Sequence, residues 1–243
     1  MTYIRLYIIL IGIALLLPIS GQAETCSIEN RTCLLGALES AADGIENQNW
    51  KDQSYRELSK TLAFDGNVEE AITVLNKIQN PDTKALTIRG IGMAVADNDL
   101  PPTDYKAVFK RLRLESEKID HPPSYAIALT YIAMAQAFAG DNEGAWATAA
   151  DMENDALRHK AYGETAEIQA EQGNFEAAMK SIAFIDSKAF RNKAYGIVSK
   201  ILADGEQLQA AFDAAKQIDN AYKRAAAIQY VLDKQKPREI PYQ

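Results

Sequence analysis

Lys160-Ala161-Tyr162-Gly163 returns as Lys193-Ala194-Tyr195-Gly196, 33 residues further on. The same interval separates Ile119, Met152, Ile185 and Ile218, and it separates Ala128, Ala161, Ala194 and Ala227. It also separates Ala145, Ala178 and Ala211, and Arg158, Arg191 and Arg224. Several independent columns at one period mark internal repetition, in which each copy is one supersecondary unit that buries its apolar face only against its neighbours. An earlier copy carries Ala71 and Ile78, seven apart like Ala145 and Met152. From Ile78 to Ile119 is 41 residues, one period plus eight, and Leu100-Pro101-Pro102-Thr103 is the expected place of the insertion.

Each period reads as two helices. The first carries small and apolar residues at helical spacing, as in Ala126, Leu129, Ile132, Ala133 and Ala137. It stops at Asp65-Gly66, Gly140-Asp141, Gly173-Asn174 or Asp204-Gly205, where glycine supplies a left-handed residue and the following Asp or Asn can cap the next helix. The second helix is short and spans 68–78, 143–152, 175–185 and 208–218; an Asp at the junction (Asp120, Asp186, Asp219) opens the next period. Prolines beyond the leader occur at 81, 101, 102, 122, 123, 237 and 241, so none interrupts 124–236. Alternating β-branched runs joined by Asn-Gly turns are lacking. The expected fold is all-α, an α-solenoid of antiparallel helix pairs with a period of about 33 residues. The frequent alanines let helix axes approach toward the low end of the usual range of about 8–10 Å. Ala145, Ala178 and Ala211 should face the first helix of their own repeat.

The segment Asp65-Gly66-Asn67-Val68-Glu69-Glu70-Ala71-Ile72 resembles the turn and second-helix start of a tetratricopeptide (TPR) repeat. Gly173-Asn174-Phe175-Glu176-Ala177-Ala178 and Gly140-Asp141-Asn142-Glu143-Gly144-Ala145 are similar, while Gly205-Glu206-Gln207-Leu208-Gln209-Ala210-Ala211 departs by one extra residue. The resemblance covers residues 50 to 235. It is a divergent one: the family's repeat is about 34 residues long, and its usual glycine inside the first helix is replaced by Ser59, Ala133, Ala166 and Val198. The resemblance implies a protein or peptide ligand on the face lined by the first helices.

The ends set the compartment. Arg5, the apolar run 6–17 and the small residues of Gly21-Gln22-Ala23 form a secretory signal over residues 1–23, cleaved after Ala23, which implies a periplasmic or secreted protein with no membrane insertion afterwards. Residues 24–48 are read as an N-terminal cap, 49–235 as the repeats and 236–243 as a tail. Cys26 and Cys33, an even pair in an oxidising compartment, are expected to form a disulfide. Their spacing is not C-x-x-C, and the two histidines, His121 and His159, lie far from them, which argues against redox and metal roles. The chain is 47% hydrophobic and 24% charged, a globular composition, with a net charge of −7. Removing residues 1–23 leaves 25 basic and 33 acidic side chains, a poor balance for nucleic acid, whose binding rests on neutralised phosphates. No constellation points to catalysis, a metal or a cofactor.

Candidate binding residues are the basic positions near the starts of the first helices: Lys84, Arg158, Lys160, Arg191, Lys193 and Arg224. Stacked at regular spacing, they could form a ridge for an acidic peptide or a carboxylate-rich glycan. Alternatively the arginines pair with Asp155, Asp186 and Asp219 and close the junctions. Tyr125, Tyr162, Tyr195 and Tyr222 gather in the same region, as binding anchors or as seam packing. The expected function is a non-catalytic scaffold or adaptor for a protein partner; the alternative is an auxiliary subunit, or the remnant, of a repeat-bearing cell-wall enzyme.

Overall fold

A computed structural model describes residues 26–98 and 102–236, with the backbone alone at 102 and 103; the expected signal peptide and nearly all of the tail lie outside the described residues. Within them the chain forms twelve helices and no strand: α1 (Arg31–Asp43), α2 (Gln48–Phe64), α3 (Val68–Leu75), α4 (Pro81–Asp97), α5 (Pro102–Ser116), α6 (Pro122–Phe138), α7 (Asn142–Ala150), α8 (Asp155–Glu171), α9 (Phe175–Ala183), α10 (Lys188–Asp204), α11 (Leu208–Lys216) and α12 (Ala221–Gln235). From α2 on, long and short helices alternate. The long ones begin at 48, 81, 122, 155, 188 and 221.

Capping explains those starts. The side chains of Asn47, Asn80, Asn154 and Asn220 accept the backbone N–H groups of Trp50, Thr83, Leu157 and Lys223, satisfying donors that the first turn leaves free. The junction Asp residues therefore do not open the long helices. Asp120, Asp186 and Asp219 each precede the cap position, which His121, Ser187 and Asn220 hold. Pro81 and Pro122 stand at the first helical position, where their missing N–H is harmless.

The stops are equally regular. After α2, α6, α8 and α10 a backbone N–H reaches the carbonyl five residues back: Asn67 to Leu62, Asp141 to Gln136, Asn174 to Gln169 and Gln207 to Leu202, each at 2.8 Å. Such turns need one left-handed residue. Gly66, Gly140 and Gly173 supply it in three of them, but in the fourth it is Glu206, at φ +63, while Gly205 stays at φ −82. Glu206 lies 33 residues after Gly173, so this copy has no extra residue; the glycine sits one place early.

Two further expectations are corrected. Most of the eight-residue insertion does not lie at Leu100-Pro101-Pro102-Thr103: α5 has 15 residues where α7, α9 and α11 have 9. The short helices also end before the apolar residues assigned to their last turn. Ile78, Met152, Ile185 and Ile218 lie beyond the helix ends and plug the core at 2% exposure or less.

The long helices α4, α6, α8 and α10 each pack against the long helices before and after them and against the helix that follows them. Small side chains make this close: Ala71, Ala145, Ala178 and Ala211, at the same place in four short helices, are all 0% exposed. The hydroxyls of Ser59 and Ser199 donate across the pair to the carbonyls of Ala71 and Ala211, at 2.7 and 2.8 Å. Between α6 and α7 the link runs from Thr148 to Gln136, and between α8 and α9 from Ser181 to Gln169. The Trp146 indole donates to the Ser181 hydroxyl at 2.7 Å, so that buried polar group is fully used. A disulfide joins Cys26 to Cys33 in the first turn of α1, with Cα atoms 5.6 Å apart.

Candidate functional site

The three repeated arginines are turned back onto the chain. Arg158, Arg191 and Arg224 each donate a guanidinium N–H, at 2.9 Å, to the carbonyl six residues earlier, on Met152, Ile185 and Ile218. Those carbonyls follow the short helices and have lost their helical partners, so the arginines tie each short helix to the next long one. Arg158 also pairs with Asp155 at 2.6 Å, and Arg191 stands 3.8 Å from Asp219. Of the basic positions read from the sequence, Lys160 lies 3.5 Å from Glu164, while Lys84 and Lys193 form no ion pair among the described residues.

The tyrosines divide as well. Tyr162 is 5% exposed and stacks on Phe184 with ring centres 5.2 Å apart. Burial pushes the phenols of Tyr162 and Tyr195 above their ordinary value, with Arg158 and Arg191 pulling the other way. Both belong to the seam between copies. Tyr125 is half-buried against the core, and Tyr222 is the exposed one, at 83%.

The open surface of the long helices holds two grooves. One, of about 490 Å³, lies between α2 and α4 and reaches α6. Phe64, Met93, Ala94 and Phe138 line it, with Phe64 62% exposed. Gly90 forms part of its wall: a Cβ there would meet the Lys60 side chain at 2.4 Å, so glycine is what lets that aliphatic stem lie across α4. Lys60 and Arg31 at its rim are already paired, with Glu57 and Asp65.

The second groove, of about 390 Å³, lies between α10 and α12. Its floor is apolar and small: Gly196, Ile197, Ile218, Ala226 and Ala227. Its edges carry Lys193, Lys200 and Lys223 with Tyr222 and Tyr230. None of these lysines has an ion-pair partner among the described residues; Lys200 rests over the Tyr230 ring at 5.5 Å. A smaller recess of about 290 Å³ adjoins it between α8 and α10, where Glu164, Glu167 and Lys193 meet. Burial first, and then Glu164, holds the Glu167 carboxyl above its ordinary value.

Lys193 was visible in the sequence as a site residue; Lys200, Lys223, Tyr230, Phe64 and Phe138 were not. The missing step was projection onto the long helices. Phe64 and Phe138 end α2 and α6 at the same register, and Lys60 and Lys200 share another. His159, with 7% exposure, is buried against Phe190, and its Nε2 has no partner. Among the described residues no helix is long and apolar enough to cross a membrane. No family model, no curated protein and no solved structure matches this chain.

Proposed function

We propose that this chain is a non-catalytic scaffold of the bacterial-type periplasm, an α-solenoid of antiparallel TPR-like helix pairs with a 33-residue period. It holds a protein or peptide segment on the face formed by the long helices. The leader expected over residues 1–23 supports the compartment, and the TPR-like turns support the repeat. The observation that carries the binding role is the groove between α10 and α12. On a chain of net charge −7, three lysines without ion pairs among the described residues surround an apolar floor beside a tyrosine that is 83% exposed. Local positive charge on an acidic protein attracts acidic groups, and exposed tyrosines are frequent anchors in protein interfaces. The arginine column supports this reading less, because its donors are engaged at the junctions.

The test is crosslinking capture in intact cells with the exported chain as bait. Lys193→Glu, Lys200→Glu and Lys223→Glu together should abolish the captured partner and leave the melting temperature nearly unchanged. Arg191→Gln should keep the partner and lower stability by about 0.5–1.5 kcal/mol, the worth of a typical hydrogen bond. Capture that survives the triple change in a folded protein removes this groove as the site.

A further inference from the structure

The two ends of the helix stack are complementary halves of one unit. Resting on the repeat reading above, we infer that this chain associates with a second copy of itself, head to tail, the α12 end of one copy against the α1 end of the next.

The starting point is what each end lacks. Helix α12 is a long helix, and among the described residues no short helix follows it; α1 occupies the place of a short helix, and no long helix precedes it there. Four residues separate α1 from α2, as four separate α7 from α8 and α9 from α10. Residues 35–43 of α1 therefore stand 33 before the register of α3, whose first residue is Val68. Among the described residues, one end shows a short helix without its long partner, the other a long helix without its short one.

Burial at equivalent positions shows the cost. Leu38 stands 33 residues before Ala71, in the column of Ala145, Ala178 and Ala211; those four alanines are 0% exposed, and Leu38 is 40% exposed. Ala41, one turn on, is exposed, while its counterparts Val74, Thr148, Ser181 and Ala214 are 3% exposed or less. At the other end Leu232 shares the register of Ser59, Ala133, Ala166 and Ser199; those four are 0% exposed, and Leu232 is 50% exposed. Within a repeat these two columns lie on the packed pair, as the bonds from Ser59 to Ala71 and Ser199 to Ala211 show. Leu38 and Leu232 are thus the two sides of one contact, each larger than the residue that fills the column inside the stack.

Charge points to the same pairing. Residues 26–70 carry nine acidic and four basic side chains, whereas residues 187–236 carry nine basic and five acidic ones. Two like ends would repel each other, and unlike ends attract. A contact between different surfaces is heterologous, so it propagates: each bound copy presents a fresh end. The long-helix face then continues from copy to copy.

Sedimentation velocity on the mature chain tests this. The weight-average mass should rise with concentration and fall as salt is raised, since exposed charges are screened over about 8 Å at physiological ionic strength. Leu38→Glu and Leu232→Glu should each be monomeric alone, with unchanged melting temperatures because both residues are exposed. Mixed in equal amounts they should give dimers and nothing larger, since each variant keeps the end that the other has lost. A chain that stays monomeric up to about 1 mM, where even a millimolar contact would register, overturns the inference. So does association abolished by only one of the two changes, which would mean a two-fold contact between like ends. Both variants leave the groove between α10 and α12 intact, so partner capture by the monomers separates failure here from failure of the scaffold reading.

Discussion

Replacing Glu206 with glycine should stabilise the protein. Glu206 has φ +63, and every other residue found with positive φ among the described ones is a glycine: Gly66, Gly140 and Gly173. In that region the Cβ of an L-residue crowds the following carbonyl, which costs roughly 1–2 kcal/mol. Removing the Cβ relieves that strain but frees the unfolded chain, which offsets about 0.5–1 kcal/mol. The side chain of Glu206 is exposed and makes no contact that its loss would sacrifice. The net gain is about 0.5–1 kcal/mol, or roughly 1–4 °C in melting temperature for a chain of this length. Thermal unfolding followed by circular dichroism reads it, with two controls. Glu206→Ala keeps the Cβ and should not share the rise. Gly66→Ala is the reverse change at the equivalent turn; nothing lies within 4 Å of the added Cβ, so its loss of about 1 kcal/mol reports backbone strain alone. A Glu206→Gly protein no more stable than Glu206→Ala would refute the assignment of strain to this turn.

Two further outcomes follow from the packing. Ala178→Leu should destabilise by about 1–3 kcal/mol, because Ala178 is 0% exposed between α9 and α8; an unchanged denaturant midpoint would mean the pair is looser than drawn. The phenols of Tyr162 and Tyr195 are raised above the ordinary value of 10.0 in the folded chain, so their stabilising contribution is complete below that pH and is lost as pH climbs through the folded values. Stability should therefore drop above about pH 10, and Tyr162→Phe with Tyr195→Phe should flatten the drop; an identical alkaline slope in the double variant would assign the effect to other groups.

The all-α fold was legible because its causes are local. Glycine at a left-handed turn, alanine at a close helix contact and proline at a first turn each leave a mark at one residue, and 33-residue spacing makes the marks add up. The departures have physical reasons too. Asp204-Gly205 does stop α10, but the backbone bond from Gln207 to Leu202 fixes the left-handed place at 206, whichever residue stands there. Most of the extra eight residues near 100 fell to a helix, because Tyr105-Lys106-Ala107-Val108-Phe109 carries apolar residues that α5 can bury: Phe109 and Leu112 reach 1% and 0% exposure. The short-helix ends were misjudged because Ile78 and its counterparts are apolar; a buried plug just past a helix leaves the same trace in a sequence as a last helical turn.

The proposed binding face was harder to read, because recurrence and function pull in opposite directions. A residue that recurs from one unit to the next is usually doing something each of them needs, and Arg158, Arg191 and Arg224 do that at the junction carbonyls. A ligand site needs what the junction does not: donors left unpaired, and side chains that differ from copy to copy so that one place on the stack is distinct. Register 60 shows the contrast along the long helices: Lys60, Met93, Met134, Glu167, Lys200 and Asp233 run from cationic to apolar to acidic, back to cationic and then to acidic. The apolar groove falls where that register holds Met93, and the cationic groove where it holds Lys200. Columns that keep one residue type serve the packing, and columns that vary make one place on the proposed binding face unlike another; Lys193, Lys200 and Lys223 stand out there because none has an ion-pair partner among the described residues.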